Sequence, residues 1–180
     1  MSSLLDLPAL FREHAPYLWR VLRRLGASAT DAEDLCQEVF LVAHRNQATF
    51  RGDSSPRTWL YGIAVRVAAD LRNKAHMRQE RSVAVLPETL VEATQDDALE
   101  QQRARVLLDR ALAGLDAERR AVFVLYEIED LTLQEIADCL QVPLQTVYSR
   151  LKSARQEVLA LFGETLVPGG TATLLEGSGR

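Results

Sequence analysis

At 180 residues, with 47% hydrophobic and 26% charged side chains, the chain has room for one medium domain or two small ones. It holds only six prolines and nine glycines, most of the glycines after Phe162, so its body is short of helix breakers and an all-α fold is expected. The net charge of −4 excludes a uniformly basic nucleic-acid coat, and any nucleic-acid binding must rest on clustered cations.

The first residues, Met1 to Leu7, lack the basic start and long apolar run of a signal peptide. No stretch reaches the roughly 18 apolar residues of a membrane span. The expectation is a cytosolic protein without membrane insertion of its own. Helical periodicity begins near Leu10: Leu10, Tyr17, Leu18, Val21, Leu22 and Leu25 share a stripe, and Gly26 is placed to end the helix. Thr30-Asp31-Ala32-Glu33 has the form of a capping box opening a second helix, with Leu35, Val39, Val42 and Ala43 inward and Asp31, Asp34, Gln37 and Glu38 mainly off that stripe.

Gln47 to Ser55 reads as a loop, with Arg51-Gly52-Asp53 as turn material. Ser55 followed by Pro56 predicts an N-cap with proline at the first helical position. The long helix beyond carries Trp59, Leu60, Ile63, Ala64, Val67 and Leu71 on its apolar face and becomes basic towards its end, at Arg66, Arg72, Lys74, Arg78 and Arg81. From Ser82 to Gln101 the pattern loosens around Pro87 and turns acidic, which predicts a flexible linker whose later part is able to become helical before Arg103.

Periodicity resumes through Val106, Leu107, Ala111 and Leu112. Gly114 and Asp116 then mark a break and a new cap. Thr132-Leu133-Gln134-Glu135 is a second capping box; it predicts a short helix to about Leu140, a turn at Gln141-Val142-Pro143, and a last helix from about Gln145 to Leu161. The glycine-bearing tail from Gly163 to Arg180 is expected to be disordered.

Leu133 to Leu151 has the pattern of a DNA-binding helix-turn-helix. Ile136, Ala137 and Leu140 face Val142, Val147 and Leu151, while Gln145, Thr146, Ser149, Arg150, Lys152, Ser153 and Arg155 point outward. Arg can bond bidentately to guanine and Gln to adenine, so this face mixes base-reading with phosphate-neutralising groups. Gln141 stands where glycine is usual because the backbone there needs positive φ, at a cost of about 1 kcal/mol. A plain helical hairpin with a solvated basic face is the bland alternative. In the N-terminal part, aromatic residues beside a basic helix end suit stacking on unpaired bases and tracking of a phosphate backbone, although Trp59 equally suits the core.

At these residues the chain resembles the extracytoplasmic-function sigma factors of the sigma-70 family. Asp31-Ala32-Glu33-Asp34-Leu35 with Gln37-Glu38-Val39-Phe40 resembles the polymerase-binding part of region 2. Phe50-Arg51-Gly52-Asp53-Ser54 and Trp59-Leu60-Tyr61 resemble its −10 segment. Val142-Pro143, Thr146-Val147, Ser149-Arg150-Leu151 and Ala154-Arg155 resemble region 4.

The resemblance implies region 2 over residues 1–81, a linker over 82–102, region 4 over 103–162 and a tail over 163–180. It implies that Asp31, Asp34, Leu35, Gln37, Glu38 and Phe40 dock core RNA polymerase at the β′ clamp helices, with the β subunit also in contact. It assigns −10 DNA to Phe50, Arg51, Asp53, Ser54, Arg57, Trp59, Arg66, Asp70, Arg72 and Lys74, and −35 DNA to Gln145, Thr146, Tyr148, Ser149, Arg150, Lys152 and Arg155. An anti-sigma partner is a further implication. Arg66, Asp70 and Gln145 depart from residues frequent in the family, so sequence preference at either promoter element is not carried over.

A stand-alone DNA-binding regulator is the nearest competitor; it would bind duplex DNA tightly without polymerase. An enzyme is disfavoured. His14, His44 and His76 are isolated, Cys36 and Cys139 read as reduced thiols outside any metal-ligand spacing, and neither a phosphate loop nor a nucleophile–base pair is present, so no cofactor or metal is expected.

Overall fold

The computed structural model describes residues 6–50, 52–79 and 96–165, and among them every regular element is helical. Seven α-helices follow one another: α1 (Leu7–Arg24), α2 (Ala29–Asn46), α3 (Pro56–Gln79), α4 (Asp96–Gly114), α5 (Ala117–Phe123), α6 (Leu133–Leu140) and α7 (Leu144–Thr165). Helices α1 to α3 pack on one another to form the N-terminal half, and α4, α5 and α6 each pack on α7 to form the C-terminal half.

Local signals account for most boundaries. Asp6 caps α1 by accepting the Ala9 amide at 3.0 Å. The helix ends in a Schellman arrangement, with Gly26 at φ +102, its amide donating to Arg23 O and the Ala27 amide donating to Leu22 O. Because Gly26 redirects the chain at once, the next cap is Ser28 and not Thr30. The Ser28 hydroxyl oxygen accepts the Asp31 amide at 3.0 Å and donates to the Asp31 carboxylate at 2.6 Å. The capping box expected at Thr30 is therefore replaced by a side-chain cap two residues earlier, at Ser28, and Thr30 lies inside α2. Ser55 accepts the Thr58 amide ahead of Pro56, as the sequence predicts. Helix α4 begins at Asp96, so the later part of the acidic stretch is helical. Residues 80–95 and the tail from 166 onward, expected to be linker and disordered, lie outside the described residues, as do Arg81 and the side chain of Arg78.

Between α5 and α6 the backbone widens into a π turn, Val124–Ile128, and the Glu129 amide donates five residues back to Val124 O at 3.1 Å. No periodic signal in the sequence announces this turn. It buries Val124 and Leu125 and delivers Glu129, only 7% exposed, towards the N-terminal half.

Leu18, Val21 and Leu22 of α1 meet Leu35 and Val39 of α2 and Leu60 and Ile63 of α3, while Val122, Ile136, Val147 and Leu151 fill the C-terminal half. Each such residue, fully buried, contributes roughly 1.5–3 kcal/mol. The two halves touch: α3 packs on α6, and at Gly62 the helices approach closely, since a Cβ there would stand 3.0 Å from Cys139 O and 3.1 Å from Cys139 Sγ.

Candidate nucleic-acid and polymerase interfaces

The helix-turn-helix is built from its cap upward. Thr132 accepts the Glu135 amide at 3.2 Å, and the Glu135 carboxylate accepts the Thr132 amide and hydroxyl, both at 2.8 Å. These donations, backbone first, hold the Glu135 carboxyl below its ordinary value against a small opposing effect of burial. Gln141 takes up the left-handed conformation, φ 56 and ψ 43, and the Val142 amide returns to Ala137 O at 3.1 Å. Pro143 stands just ahead of α7, with its carbonyl accepting from the Thr146 amide.

Ile136 and Ala137 face Val147 and Leu151 in the core, so the opposite side of α7 is presented outward. Gln145, Tyr148, Ser149, Lys152 and Arg155 are exposed on it, and Thr146 and Arg150 are half-buried. Two of its cations are already engaged. Arg150 pairs with Glu118, and Arg155 donates to Glu127 at 2.6 Å while lying over the Tyr126 ring. Sequence reasoning missed Glu118 and Glu127, which come from α5 and the π turn and meet α7 only in three dimensions.

In the N-terminal half, Phe50 and Trp59 pack with ring centroids 5.2 Å apart, an aromatic pair beside the Gly52 turn. Asp53 is exposed and Ser54 half-buried, while Arg51 lies outside the described residues. Arg66 and Asp70 are exposed further along α3. Arg72 and Lys74 line a cavity of about 600 Å³ with Asp31 and Arg120. Arg57 and Arg72 are some 22 Å apart along the helix at 1.5 Å per residue, so the expected −10 residues form two groups on α3.

Arg57 does not project freely. Its Nε donates to the Tyr61 hydroxyl at 2.8 Å and its NH2 group to the Glu129 carboxylate at 3.1 Å. The Tyr61 hydroxyl in turn donates to the same carboxylate at 2.5 Å, and Arg24 donates to its other oxygen at 2.9 Å. Burial, reinforced by the hydrogen bond to Glu129, pushes the Tyr61 phenol up to about 12. The hydrogen bond with Tyr61 is also the largest cause holding Arg57 above the usual guanidinium value. Tyr61 lies one turn from Arg57 on α3, whereas Arg24 and Glu129 are partners that no sequence spacing linked to it.

On α2, Asp34 and Gln37 are exposed and Glu38 is half-buried with a long 3.9 Å contact to Arg45. Phe40 packs edge-on against Phe11, centroids 4.8 Å apart, and Leu41, not singled out from the sequence, is 49% exposed beside it. Asp31 is half-buried in the helix cap, and Leu35 is buried in the core beneath the exposed acids. Among the described residues no His, Cys, Asp and Glu side chains gather as a metal site, and no helix is long and apolar enough to cross a membrane.

Comparison with known proteins follows this division of the chain. The family profile for Sigma-70 region 2 matches residues 10–80, and that for Sigma-70, region 4 matches residues 105–158. The chain is 33% identical over 156 residues to the ECF RNA polymerase sigma factor SigM of Mycobacterium tuberculosis, covering 86% of this chain and 76% of SigM. It is 34% identical over 147 residues to the ECF RNA polymerase sigma factor SigL of the same organism, covering 81% of this chain and 82% of SigL. The fold is similar to that of the sigma factor RpoE in its complex with the anti-sigma factor NepR from Bartonella quintana, with a TM-score of 0.70 at 21% identity over 88% of this chain and 97% of that one.

Proposed function

The chain belongs to the extracytoplasmic-function group of the sigma-70 family, whose members direct transcription initiation, and from that premise we propose how its surfaces divide the work. The outward face of α7 reads the −35 element in the major groove through Gln145, Thr146, Tyr148, Ser149 and Arg150, with Lys152 and Arg155 on phosphates. The turn around Phe50 and Trp59 takes up a base extruded from the −10 element. Unstacking such a base costs a few kcal/mol, and stacking on an aromatic platform returns about 1–3 kcal/mol. The basic end of α3, at Arg72 and Lys74, follows the adjoining duplex. Asp34, Gln37 and Glu38, held outward over buried Leu35, dock the polymerase with Asp31 and Phe40 at their margins. The protein acts in the cytosol and carries no catalytic step of its own.

The observation that carries this reading is the helix-turn-helix geometry: Gln141 in the left-handed turn, the α6–α7 core closed by Ile136 and Val147, and a polar α7 face left outward. An anti-sigma partner is part of the same proposal, supported by the likeness to RpoE, whose structure is a complex with NepR.

In vitro transcription from a genomic promoter library, with core polymerase and with or without this protein, tests the reading. Discrete protein-dependent start sites sharing paired −35 and −10 motifs are expected. Absence of new starts, together with tight duplex binding by the protein alone, would replace it with a stand-alone regulator.

A further inference from the structure

Glu129 is the buried carboxylate on which the two halves converge, and none of the promoter-reading assignments uses it. Its side chain is 6% exposed, whereas those of its partners Arg57 and Arg24 are 45% and 28% exposed. Both carboxylate oxygens are taken: Arg24 donates to one, and Arg57 and the Tyr61 hydroxyl to the other. Arg57 adds a 3.3 Å bond to the Glu129 carbonyl.

Two guanidiniums and one phenol converging on one anion give the donor set that binds a phosphodiester as readily as a carboxylate, since both present a single negative charge over two acceptor oxygens. The site carries a net charge of +1 with Glu129 in place, counting Arg24 and Arg57 against it. A strand with phosphates on either side of the one bound would use that surplus. Because the arginines keep partial access to water, they lose little when Glu129 leaves.

From this geometry we infer that Arg24, Arg57 and Tyr61 form a phosphate-binding site for the promoter strand, which Glu129 fills in the closed chain as a carboxylate stand-in. Region 4 then blocks region 2 until the halves separate. Binding of a strand phosphate and insertion of Glu129 are mutually exclusive, so the free chain holds back from DNA. The inference rests on the proposed sigma-factor function and on the −10 role that the resemblance implies for Arg57.

Two native thiols report the opening. Cys139 of α6 is pressed against Gly62 of α3, and its Sγ donates to Thr58 O at 3.6 Å across the same junction. Cys36 is buried inside the N-terminal half, with its Sγ 3.7 Å from Ala15 O, and serves as the internal control.

The test uses the full chain, its Glu129→Gln variant and Gly62→Val, which wedges α3 from α6 with the carboxylate intact. Iodoacetamide labelling of Cys139 and Cys36 is read by peptide mass. Affinity for a fluorescein-labelled single-stranded 20-mer of mixed sequence is read by anisotropy at low salt. Loss of a charge-assisted contact should raise both Cys139 labelling and strand affinity about tenfold, with Cys36 unchanged. Arg24→Ala in the Glu129→Gln background should cancel the gain in affinity.

Unchanged labelling and affinity in both variants would overturn the inference. Faster Cys139 labelling without any gain in strand affinity overturns it as well, because the freed donors then do not bind the strand. Failure of the sigma reading looks different: the wild-type chain gives no protein-dependent start sites, whatever the thiols report.

Discussion

The Arg120 guanidinium occupies the space that a Cβ on Gly26 would need, and it donates from there to the Leu25 carbonyl at 3.3 Å. Its other terminal nitrogen reaches Ala113 O and Leu115 O, both at 3.1 Å, so one side chain ties together the ends of α1 and α4 across the two halves. Burial, and then the charge of Arg72, hold this guanidinium below its ordinary pKa. Gly26→Ala meets two obstacles, a φ of +102 and the displaced Arg120. It should cost about 1–3 kcal/mol in urea unfolding. In an Arg120→Ala background the cost should shrink to the backbone part, and strict additivity of the two changes would refute the coupling.

Gln141 supports the turn between α6 and α7 at φ 56, a conformation glycine adopts without strain. Gln141→Gly should stabilise the chain by about 0.5–1 kcal/mol, and Gln141→Val should destabilise it by more than that. Thermal or urea unfolding of the two variants distinguishes relief of strain from loss of a side-chain contact, because only strain predicts opposite signs.

The Thr132–Glu135 box caps the same motif. Thr132→Ala should remove about 1 kcal/mol. The folded-state pKa of Glu135 is depressed from 4.5, so its contribution is present above the unfolded value and is lost as pH falls through it towards the folded one. Stability of wild type should therefore drop faster than that of Glu135→Gln as pH is lowered from about 5. Parallel curves from urea titrations across that range would show that the box does not carry the effect.

Arg150 is held by Glu118 on the flank of α5. Arg150→Ala should weaken promoter use by roughly 1–3 kcal/mol at its preferred −35 base if it bonds that base edge. Glu118→Gln should act in the other direction by releasing the cation. Transcription from −35 variants checks both: an equal loss from Arg150→Ala on every variant would make it a phosphate contact.

Asp34 stands exposed over buried Leu35, so its charge can be reversed without disturbing the core. Asp34→Arg should abolish co-migration with core polymerase in gel filtration while far-ultraviolet circular dichroism stays unchanged. Undiminished holoenzyme formation would remove Asp34 from the docking face.

Short-range chemistry is what the sequence made legible. The Thr132–Glu135 box, the Ser55–Pro56 start and the positive φ at Gln141 each depend on residues within three or four positions, and so does the outward α7 face, given its 3.6-residue period. Even the exception is local, since Ser28 replaces Thr30 as the cap of α2 because Gly26 turns the chain one step earlier.

The ties between halves were not legible. Glu129 lies 72 positions from Arg57 and 105 from Arg24, and it is brought there by a π turn that leaves no mark on periodicity. The pairing of Arg150 with Glu118 and the seating of Gly62 on Cys139 are likewise decided by how helices cross. By itself the sequence determined the helices, their caps and the face each one buries, because these follow from hydrogen bonds and hydrophobic period within a few residues. The tertiary structure alone decided which cations meet a carboxylate from another element, because charges distant along the chain come within hydrogen-bond distance only once the helices pack.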